Sequence, residues 1–158
     1  MPGLRDPREL FEKAKFTVED GGLTSASFAK CSTLEVEVDK IEYREGGSLI
    51  PYKIPGLIKF SDVTLERGSA SNADLYAWML DVGNAAGGAG GTGLVPPGFK
   101  RNLSINQRRR DNTTAMRHDL FLAFPIKFVA GEWDNSASEV VIEMLTLTFD
   151  FFERVVVS

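Results

Sequence analysis

Apolar and polar residues alternate most regularly in the first third of the sequence. Within residues 33–43, apolar and acidic residues alternate strictly over residues 34–39, which predicts a β-strand with one apolar and one acidic face. The apolar positions are Leu34, Val36 and Val38, and the acidic positions are Glu35, Glu37 and Asp39. After Lys40 the apolar pattern moves by one residue, to Ile41 and Tyr43. This shift would turn the apolar side to the opposite face unless a β-bulge absorbs it.

A second strand is predicted over residues 57–67, where the alternation changes parity at residues 61–62. The connection between the two strands, residues 44–56, contains two adjacent glycines and two prolines. It is too long for a tight turn and too poor in apolar residues for a core, so it predicts a projecting loop. Together the two strands and this loop predict a sheet edge.

The clearest helix is predicted over residues 71–82. Apolar side chains recur there at i, i+3, i+4 and i+7, the spacing of one helix face. They are Leu75, Trp78, Met79 and Val82. Ser71 is placed to cap the start of this helix and Gly83 to cap its end. A shorter helix is predicted over residues 7–13, because Asp6 and Pro7 suit the first positions of a helix.

Alternation predicts further strands over residues 14–19, 103–105, 117–129 and 139–157. Along residues 117–129 both faces carry apolar residues, so both are expected to be covered, the second by another subunit. The first face comprises Leu120, Leu122, Phe124, Ile126 and Phe128. The predicted fold class is therefore mainly β (α+β): an antiparallel β-barrel or sandwich of six to seven strands with one flanking helix.

The length of 158 residues suits a single domain over residues 1–158, with a projecting loop at 44–56 and a glycine-rich loop at 83–98. Hydrophobic residues at 43% are ordinary for a globular protein, and no apolar run approaches the ~20 residues of a spanning helix, so membrane insertion is not expected. The net charge of −4 argues against a dedicated nucleic-acid binder. The N-terminus shows no secretory signal, which predicts folding in the cytosol.

No group of residues points to catalysis, a cofactor or a metal ion. His118 is the only histidine and has no nucleophile motif nearby. Cys31 is the only cysteine and is expected to be buried, without partners for a disulfide or a zinc site. Residues 108–110, three arginines, are expected to form a surface turn. Residues 88–93 match the dinucleotide pattern GxGxxG but lack the strand and helix that it requires.

Much of the chain resembles the tail tube proteins of contractile phage tails and phage-like contractile injection systems. The segments that carry the resemblance are residues 30–47, 52–57, 63–68, 74–80, 123–128 and 138–147. The most specific part is the Tyr-Arg-Glu-Gly-Gly run that ends at Gly47, followed by the Pro-Gly-Leu run that ends at Leu57. The similarity extends over residues 6–152.

The resemblance implies a small β-barrel or sandwich of which six copies form a ring, with rings stacking into a hollow tube inside a contractile sheath. The chain would be a structural subunit of this inner tube, not an enzyme. The tube would be a conduit for DNA or effector proteins, driven through the target envelope on sheath contraction. The implied partners are other copies of the chain, the sheath protein, the baseplate or hub, the tail terminator and a non-specific cargo. The chain would be made in the bacterial cytoplasm and end in a virion tail or a phage-like injection particle.

The resemblance also implies where copies meet. The loop over residues 44–56 would reach a neighbouring subunit or ring. Its candidate contact residues are Arg44, Glu45, Gly46, Gly47, Tyr52, Pro55 and Gly56. The acidic residues Glu35, Glu37 and Asp39 are candidates to face the lumen, where their charge would repel DNA phosphates. Two alternatives stay open: a tube initiator or other tail component, and a small-ligand-binding β-barrel, which would be monomeric.

Overall fold

The structure of the protein, a computed structural model, describes residues 10–13, 15–20, 28–69, 73–85 and 99–157. These residues form nine strands and one helix. The strands are β1 (Phe16–Asp20), β2 (Lys30–Cys31), β3 (Val36–Tyr43), β4 (Tyr52–Phe60), β5 (Val63–Gly68), β6 (Arg101–Arg108), β7 (Thr114–Val129), β8 (Ile142–Thr148) and β9 (Phe151–Val156), and the helix is α1 (Asp74–Ala85). The predicted class, mainly β with one flanking helix, is confirmed.

Two antiparallel sheets share one long strand, β7. The first sheet has the order β1-β6-β7-β9, and the second has the order β7-β8-β5-β2. The N-terminal half of β7 pairs with β6 and β9, and its C-terminal half pairs with β8. Strands β3 and β4 pair with each other and, among the described strands, with no other. The fold is therefore a sandwich with a separate two-stranded extension.

β7 passes from one sheet to the other through an extra residue at Leu122. The backbone of Leu122 has a φ of +56°, which an L-residue rarely adopts, and its N–H donates to the side-chain oxygen of Asn102 at 3.0 Å. A second extra residue, Ile126, interrupts the pairing with β8. Each bulge changes which face of β7 points inward, so the prediction that Leu120, Leu122, Phe124, Ile126 and Phe128 share one face is wrong. The buried positions are Ala115, Leu120, Ala123 and Pro125, whereas Leu122 and Ile126 are exposed.

Two strands that the sequence predicts as continuous are each divided. Residues 139–157 contain β8 and β9, separated at residues 149–150, and residues 57–67 contain parts of β4 and β5, separated at residues 61–62. In each case the chain leaves one sheet and enters another at the break. The described residues accordingly hold nine strands instead of the predicted six or seven.

Helix α1 lays its apolar stripe against the sandwich, as predicted. Leu75 and Trp78 are fully buried, and the indole N–H of Trp78 donates to the carbonyl of Phe99 at 2.6 Å. The helix continues past Gly83, so the predicted C-terminal cap at that residue is wrong. Val82, the last residue of the stripe, packs against the core, which supports the extra turn despite the weak helix propensity of glycine.

Several predictions fall partly or wholly outside the described residues. These are the cap at Ser71, residues 86–98 of the glycine-rich loop, and residues 7–9 of the N-terminal helix. The described part of that helix, residues 10–13, is not helical. The side-chain amide of Gln107 instead donates to the carbonyls of Glu12 and Lys15, which holds this segment beside β6.

Apolar side chains from both sheets and from α1 meet in one core. The fully buried large residues are Val63, Leu65, Leu75, Trp78, Leu103, Leu120, Pro125, Leu145 and Leu147. Cys31 lies at the rim of this core and is half-buried, so the expectation that it is buried was too strong. Burial raises the pKa of its thiol to about 11, which keeps the thiol protonated at neutral pH.

A buried ion-pair network joins the start of α1 to the second sheet. Arg67 of β5 and Glu143 of β8 lie directly opposite each other, and each is only 7% exposed. The guanidinium of Arg67 binds the Glu143 carboxylate and also the carboxylate of Asp74, whose Oδ1 accepts the N–H of Leu75 at 2.9 Å. Burial lowers the pKa of Arg67, but the hydrogen bonds and charges of Asp74 and Glu143 outweigh burial, so the net pKa is raised.

Stability is expected to decrease in mild acid because of His118. Burial, together with the positive charge of Arg154, lowers the pKa of His118 below its ordinary value of 6.5 despite the opposing charge of Asp119. The unfolded chain therefore takes up a proton before the folded chain does, and stability falls as the pH is lowered through 6.5 toward the folded pKa. Melting temperatures measured between about pH 7.5 and about pH 5 should show this fall, and His118→Gln should reduce it. An unchanged pH dependence in that variant would exclude His118 as the cause.

Candidate interaction surface

Strands β3 and β4 form a hairpin that extends from the sandwich, and we call residues 36–60 the arm. At its end the N–H of Ser48 donates to the carbonyl of Glu45 at 3.0 Å, which closes a β-turn. Gly47 in this turn has a φ of +91°, a conformation that favours glycine. The arm ends in this turn and the segment after it, residues 44–51.

The projecting loop is shorter than the sequence predicts. Residues 44–51 connect the two strands, whereas the predicted loop extends to residue 56. Of the seven candidate contact residues, four lie in this connection and three lie in β4. The first group is Arg44, Glu45, Gly46 and Gly47, and the second is Tyr52, Pro55 and Gly56. Gly56 lies in a bulge of β4 and Pro55 lies beside it, in a strand with one unpaired edge, where proline and glycine are tolerated.

Large apolar side chains on the arm are exposed. They are Val36, Val38, Ile41, Tyr43, Leu49, Ile50, Tyr52, Ile54, Leu57 and Ile58. Leu49 is 93% exposed and Ile50 is 76% exposed. An isolated two-stranded hairpin is marginally stable in water, and contiguous exposed apolar patches mark interaction sites. The arm is therefore the best candidate for a protein interface in the described part of the chain.

The cross-strand pairs divide these side chains into two patches. Near the sandwich, Val36 lies opposite Phe60 and Val38 lies opposite Ile58; these four residues form the base patch. Toward the turn, Ile41 lies opposite Ile54 and Tyr43 lies opposite Tyr52; these four residues form the tip patch. Residues directly opposite each other in an antiparallel pair share a face, so each patch is continuous across the two strands.

The two patches lie on opposite faces of the arm. The register shifts between Val38 and Lys40, where two residues of β4 oppose one residue of β3. Because β3 has no extra residue, Val38 and Ile41 are three positions apart and point to opposite faces. The apolar side chains of β3 therefore do change face after Lys40, as the sequence indicates. The bulge lies in β4 and keeps the residues on both sides of it paired with β3.

Gly56 occupies the bulge because the two strands approach closely there. A Cβ atom at this position would lie 2.9 Å from the backbone oxygen of Asp39. No real Cβ atom tolerates that distance without a backbone shift, so the bulge requires glycine.

Gly56→Ala is expected to loosen the arm, at a cost of roughly 1–3 kcal/mol to its local stability. Amide hydrogen exchange should show faster exchange in β3 and β4 and no change in the sandwich. The matched control is Gly46→Ala, since nothing lies within 4 Å of a Cβ atom there and its φ is not in the left-handed region. If the amides of the arm were equally protected from exchange in Gly56→Ala and Gly46→Ala, the bulge would not require glycine.

Of the acidic residues predicted to face a lumen, Glu37 and Asp39 lie in β3 and Glu35 directly precedes this strand. The carboxylate of Asp39 binds the amino group of Lys59 at 2.9 Å, and Glu37 lies opposite Lys59 across the hairpin. The hydrogen bond and the charge of Asp39 raise the pKa of Lys59. Glu35 accepts from the hydroxyl of Thr33 at 3.0 Å. A lysine thus offsets part of this negative charge, and the lumenal position of these carboxylates stays a prediction.

The sequence pattern did not identify the exposed apolar side chains of β4 and of the segment before it. The sequence pattern places Ile54 in the predicted loop and Ile58 in the predicted strand at the sheet edge, and it does not single out Leu49 and Ile50. The signal available in the sequence was the recurrence of apolar residues at alternate positions of β4. Pro55 and Gly56 obscured this signal because both residue types are typical of loops. The recurrence of apolar side chains at even positions of residues 52–60 would have identified the strand.

Other parts of the described structure carry no comparable site. A cleft at the end of the sandwich is lined by Phe16, Cys31, Leu34, Ile105, His118 and Phe152, among others. Arg108 and Arg110 bind Glu19 and Glu12, respectively, as expected for a surface turn. Within the described ranges no three histidine, cysteine or carboxylate side chains converge as a metal ion would require. The described helix is not long and apolar enough to span a membrane.

A β-sandwich with a projecting hairpin that exposes apolar side chains on both of its faces is typical of proteins that assemble with other proteins. The chain belongs to the T4-like virus tail tube protein gp19 family, whose model matches residues 12–153. It is therefore a tail tube protein, with a structural and not an enzymatic role. No curated protein sequence is significantly similar to the chain.

Solved structures share this fold. A chain of the sheath-tube complex of an extracellular contractile injection system, PVC, in the extended state aligns with a TM-score of 0.79 and 22% identity, covering 96% of this chain and 95% of that chain. A chain of the anti-feeding prophage tube-terminating cap aligns with a TM-score of 0.78 and 21% identity, covering 97% and 95%. Hcp1 from Flavobacterium johnsoniae aligns with a TM-score of 0.56 and 14% identity, covering 88% and 93%. At these identities the likeness establishes the fold.

Proposed function

We propose that the chain forms rings of six copies that stack into the inner tube of a contractile tail or injection system. The observation that carries this proposal is the arm, whose apolar side chains remain exposed on both faces of a two-stranded sheet. Such a surface requires a protein partner, and in a tube subunit the partner present at every position is another copy of the same chain.

The tube would be a conduit for DNA or effector proteins and would be driven through the target envelope when the sheath contracts. Its further partners would be the sheath protein, the baseplate or hub, and the tail terminator. This part of the proposal is supported by relatives in fold that come from a sheath-tube complex, a tube-terminating cap and a baseplate. The chain would be made in the bacterial cytoplasm and would act in a virion tail or in a phage-like injection particle.

Within the arm, residues 44–51 would contact a neighbouring subunit or ring. The earlier candidates Tyr52, Pro55 and Gly56 would act as parts of β4, by shaping the arm and supplying the tip patch. Glu35, Glu37 and Asp39 would face the lumen, where a mildly acidic wall would limit adhesion of DNA.

Self-association can be tested by size-exclusion chromatography with light scattering over a range of protein concentrations. The proposal predicts species of about six times 17.4 kDa or larger, in amounts that increase with concentration. A species of 17.4 kDa at every concentration would contradict self-assembly of the isolated chain.

A further inference from the structure

The cleft at the end of the sandwich continues the core, and no described side chain fills it. On the inner face of the first sheet, Leu103 and Leu120 lie opposite each other and are each 1% exposed, so the core ends at this pair. Residues 29–34, around β2, form the opposite wall of the cleft. Its volume of about 900 Å³ lies within the size range of small-molecule sites. The next row of paired residues outward is half-buried or exposed and consists of Ile105, His118 and Arg154.

Much of the cleft wall is apolar. Cys31 also lines the cleft, and burial raises the pKa of its thiol to about 11, so the thiol is uncharged at neutral pH. An uncovered apolar wall of this kind gains free energy when it buries an alkyl chain. The apolar residues that line the cleft are only partly buried, and they are Phe16, Leu34, Ile105 and Phe152.

The permanently charged groups of the cleft are all positive. Lys13, Lys30 and Arg154 line it, and within the described part of the chain no aspartate or glutamate does. The amino group of Lys30 lies 3.8 Å from the carboxylate of Glu66, but the lysine side chain is 73% exposed, so this ion pair is weak. Charge complementarity therefore favours an anion in the cleft.

Arg154 is placed to hold this anion. Its Nε donates to Nε2 of His118 at 3.0 Å, which orients the guanidinium. The two terminal nitrogens of the guanidinium make no hydrogen bond with another described residue, and a carboxylate can accept from both. Burial and the positive charge of Arg154 lower the pKa of His118 despite the charge of Asp119, so the positive charge here is not neutralised.

We propose that the cleft binds a small amphipathic anion of the fatty-acid type, with its carboxylate on Arg154 and its alkyl chain on the apolar wall. A small molecule suits the cleft better than a protein strand does. β2 pairs over two residues only, so it offers too short an edge for the addition of a strand from a partner. The residues that line the cleft lie outside the arm, so this binding activity goes beyond the proposed function.

Cys31 makes occupancy of the cleft measurable, because it is the only cysteine in the sequence. Its alkylation by iodoacetamide at about pH 9 can be followed by mass spectrometry, in single subunits and in assemblies alike. The probe is dodecanoate, used below its micelle concentration. Two matched probes are dodecyltrimethylammonium, with the same chain length and the opposite charge, and butyrate, with the same carboxylate and a short chain. Circular dichroism reports the fold.

Saturating dodecanoate is expected to slow the alkylation of Cys31 by about tenfold or more and to raise the melting temperature. Neither matched probe should do so. Arg154→Gln should raise the dodecanoate concentration needed for protection by about tenfold or more, because the carboxylate loses its charged donors. Arg110→Gln is the control, since it removes one positive charge outside the cleft, from a side chain that is 86% exposed, and it should leave protection unchanged.

Unchanged or faster alkylation in the presence of dodecanoate would overturn the proposal. Equal protection by dodecyltrimethylammonium would also overturn it, because the cleft would then not select an anion. If Arg154→Gln and Arg110→Gln weakened protection equally, the effect would come from net charge and not from a site at Arg154. None of these outcomes depends on tube formation, so failure of this proposal is distinct from failure of the proposed function.

Discussion

Arg67→Met is expected to destabilise the fold by about 3–5 kcal/mol. The substitution keeps most of the aliphatic volume but removes the positive charge that lies between Glu143 and Asp74. Glu143 is 7% exposed, so its carboxylate would remain buried without its arginine partner. Urea denaturation followed by circular dichroism should show a lower midpoint with an unchanged slope.

Two controls separate the lost ion pair from a general packing effect. Arg67→Met combined with Glu143→Gln should recover part of the lost stability, because no unpaired carboxylate then remains in the core. Lys59→Met removes the exposed partner of Asp39 and should leave the urea midpoint almost unchanged. If Arg67→Met and Lys59→Met shifted the midpoint equally, the buried network would not have the role assigned to it.

Replacement of residues 44–51 by Asn-Gly is expected to abolish tube formation and leave a folded protein. Tyr43 and Tyr52 lie directly opposite each other, so a two-residue turn can join them without changing the register of the hairpin. The replacement removes Leu49 and Ile50, the most exposed large apolar side chains of the arm. Its melting temperature should stay near that of the unmodified protein, because the turn contributes nothing to the core.

Assembly of this shortened variant is measured by sedimentation at concentrations where the unmodified protein pellets as tubes. Val140→Gln is the matched control, since Val140 is 73% exposed but lies outside the arm. The control should pellet normally, and the shortened variant should remain in the supernatant. Tubes of normal length from the shortened variant would contradict the role of the turn in contacts between subunits.

Elements in which apolar residues recur at one unbroken spacing could be predicted from the sequence. The buried stripe of α1, the strand that ends at Asp20 and the turn after Arg108 follow from local patterns of a few residues. The parity shift after Lys40 also marked a real irregularity, the bulge opposite Asp39. In each of these cases the information lies in neighbouring residues.

Features that depend on distant partners could not be predicted. β7 carries apolar residues on both faces between Leu120 and Val129 because it serves two sheets, and only its pairing with β6, β8 and β9 shows where the inward face changes. The positive φ of Leu122 has no local signal, since leucine rarely adopts it.

The arm shows the same limit at the candidate site. Alternation identifies Val36 and Val38 as one side of a strand but does not tell whether that side meets the domain's own core or another molecule. Proline and glycine at residues 55–56 indicated a loop, whereas the structure places them at a bulge. The apolar patches, and therefore the interface, became recognisable only with the exposure and register of both strands.

Negative-stain electron microscopy of the purified protein tests the central claim most directly. The claim is that this tail tube protein builds its tube by contacts between its own copies through the arm. It predicts rings with a central hole and a six-fold outline, together with tubes of stacked rings at higher concentration. Filaments without a central channel, or separate small particles at every concentration, would contradict it.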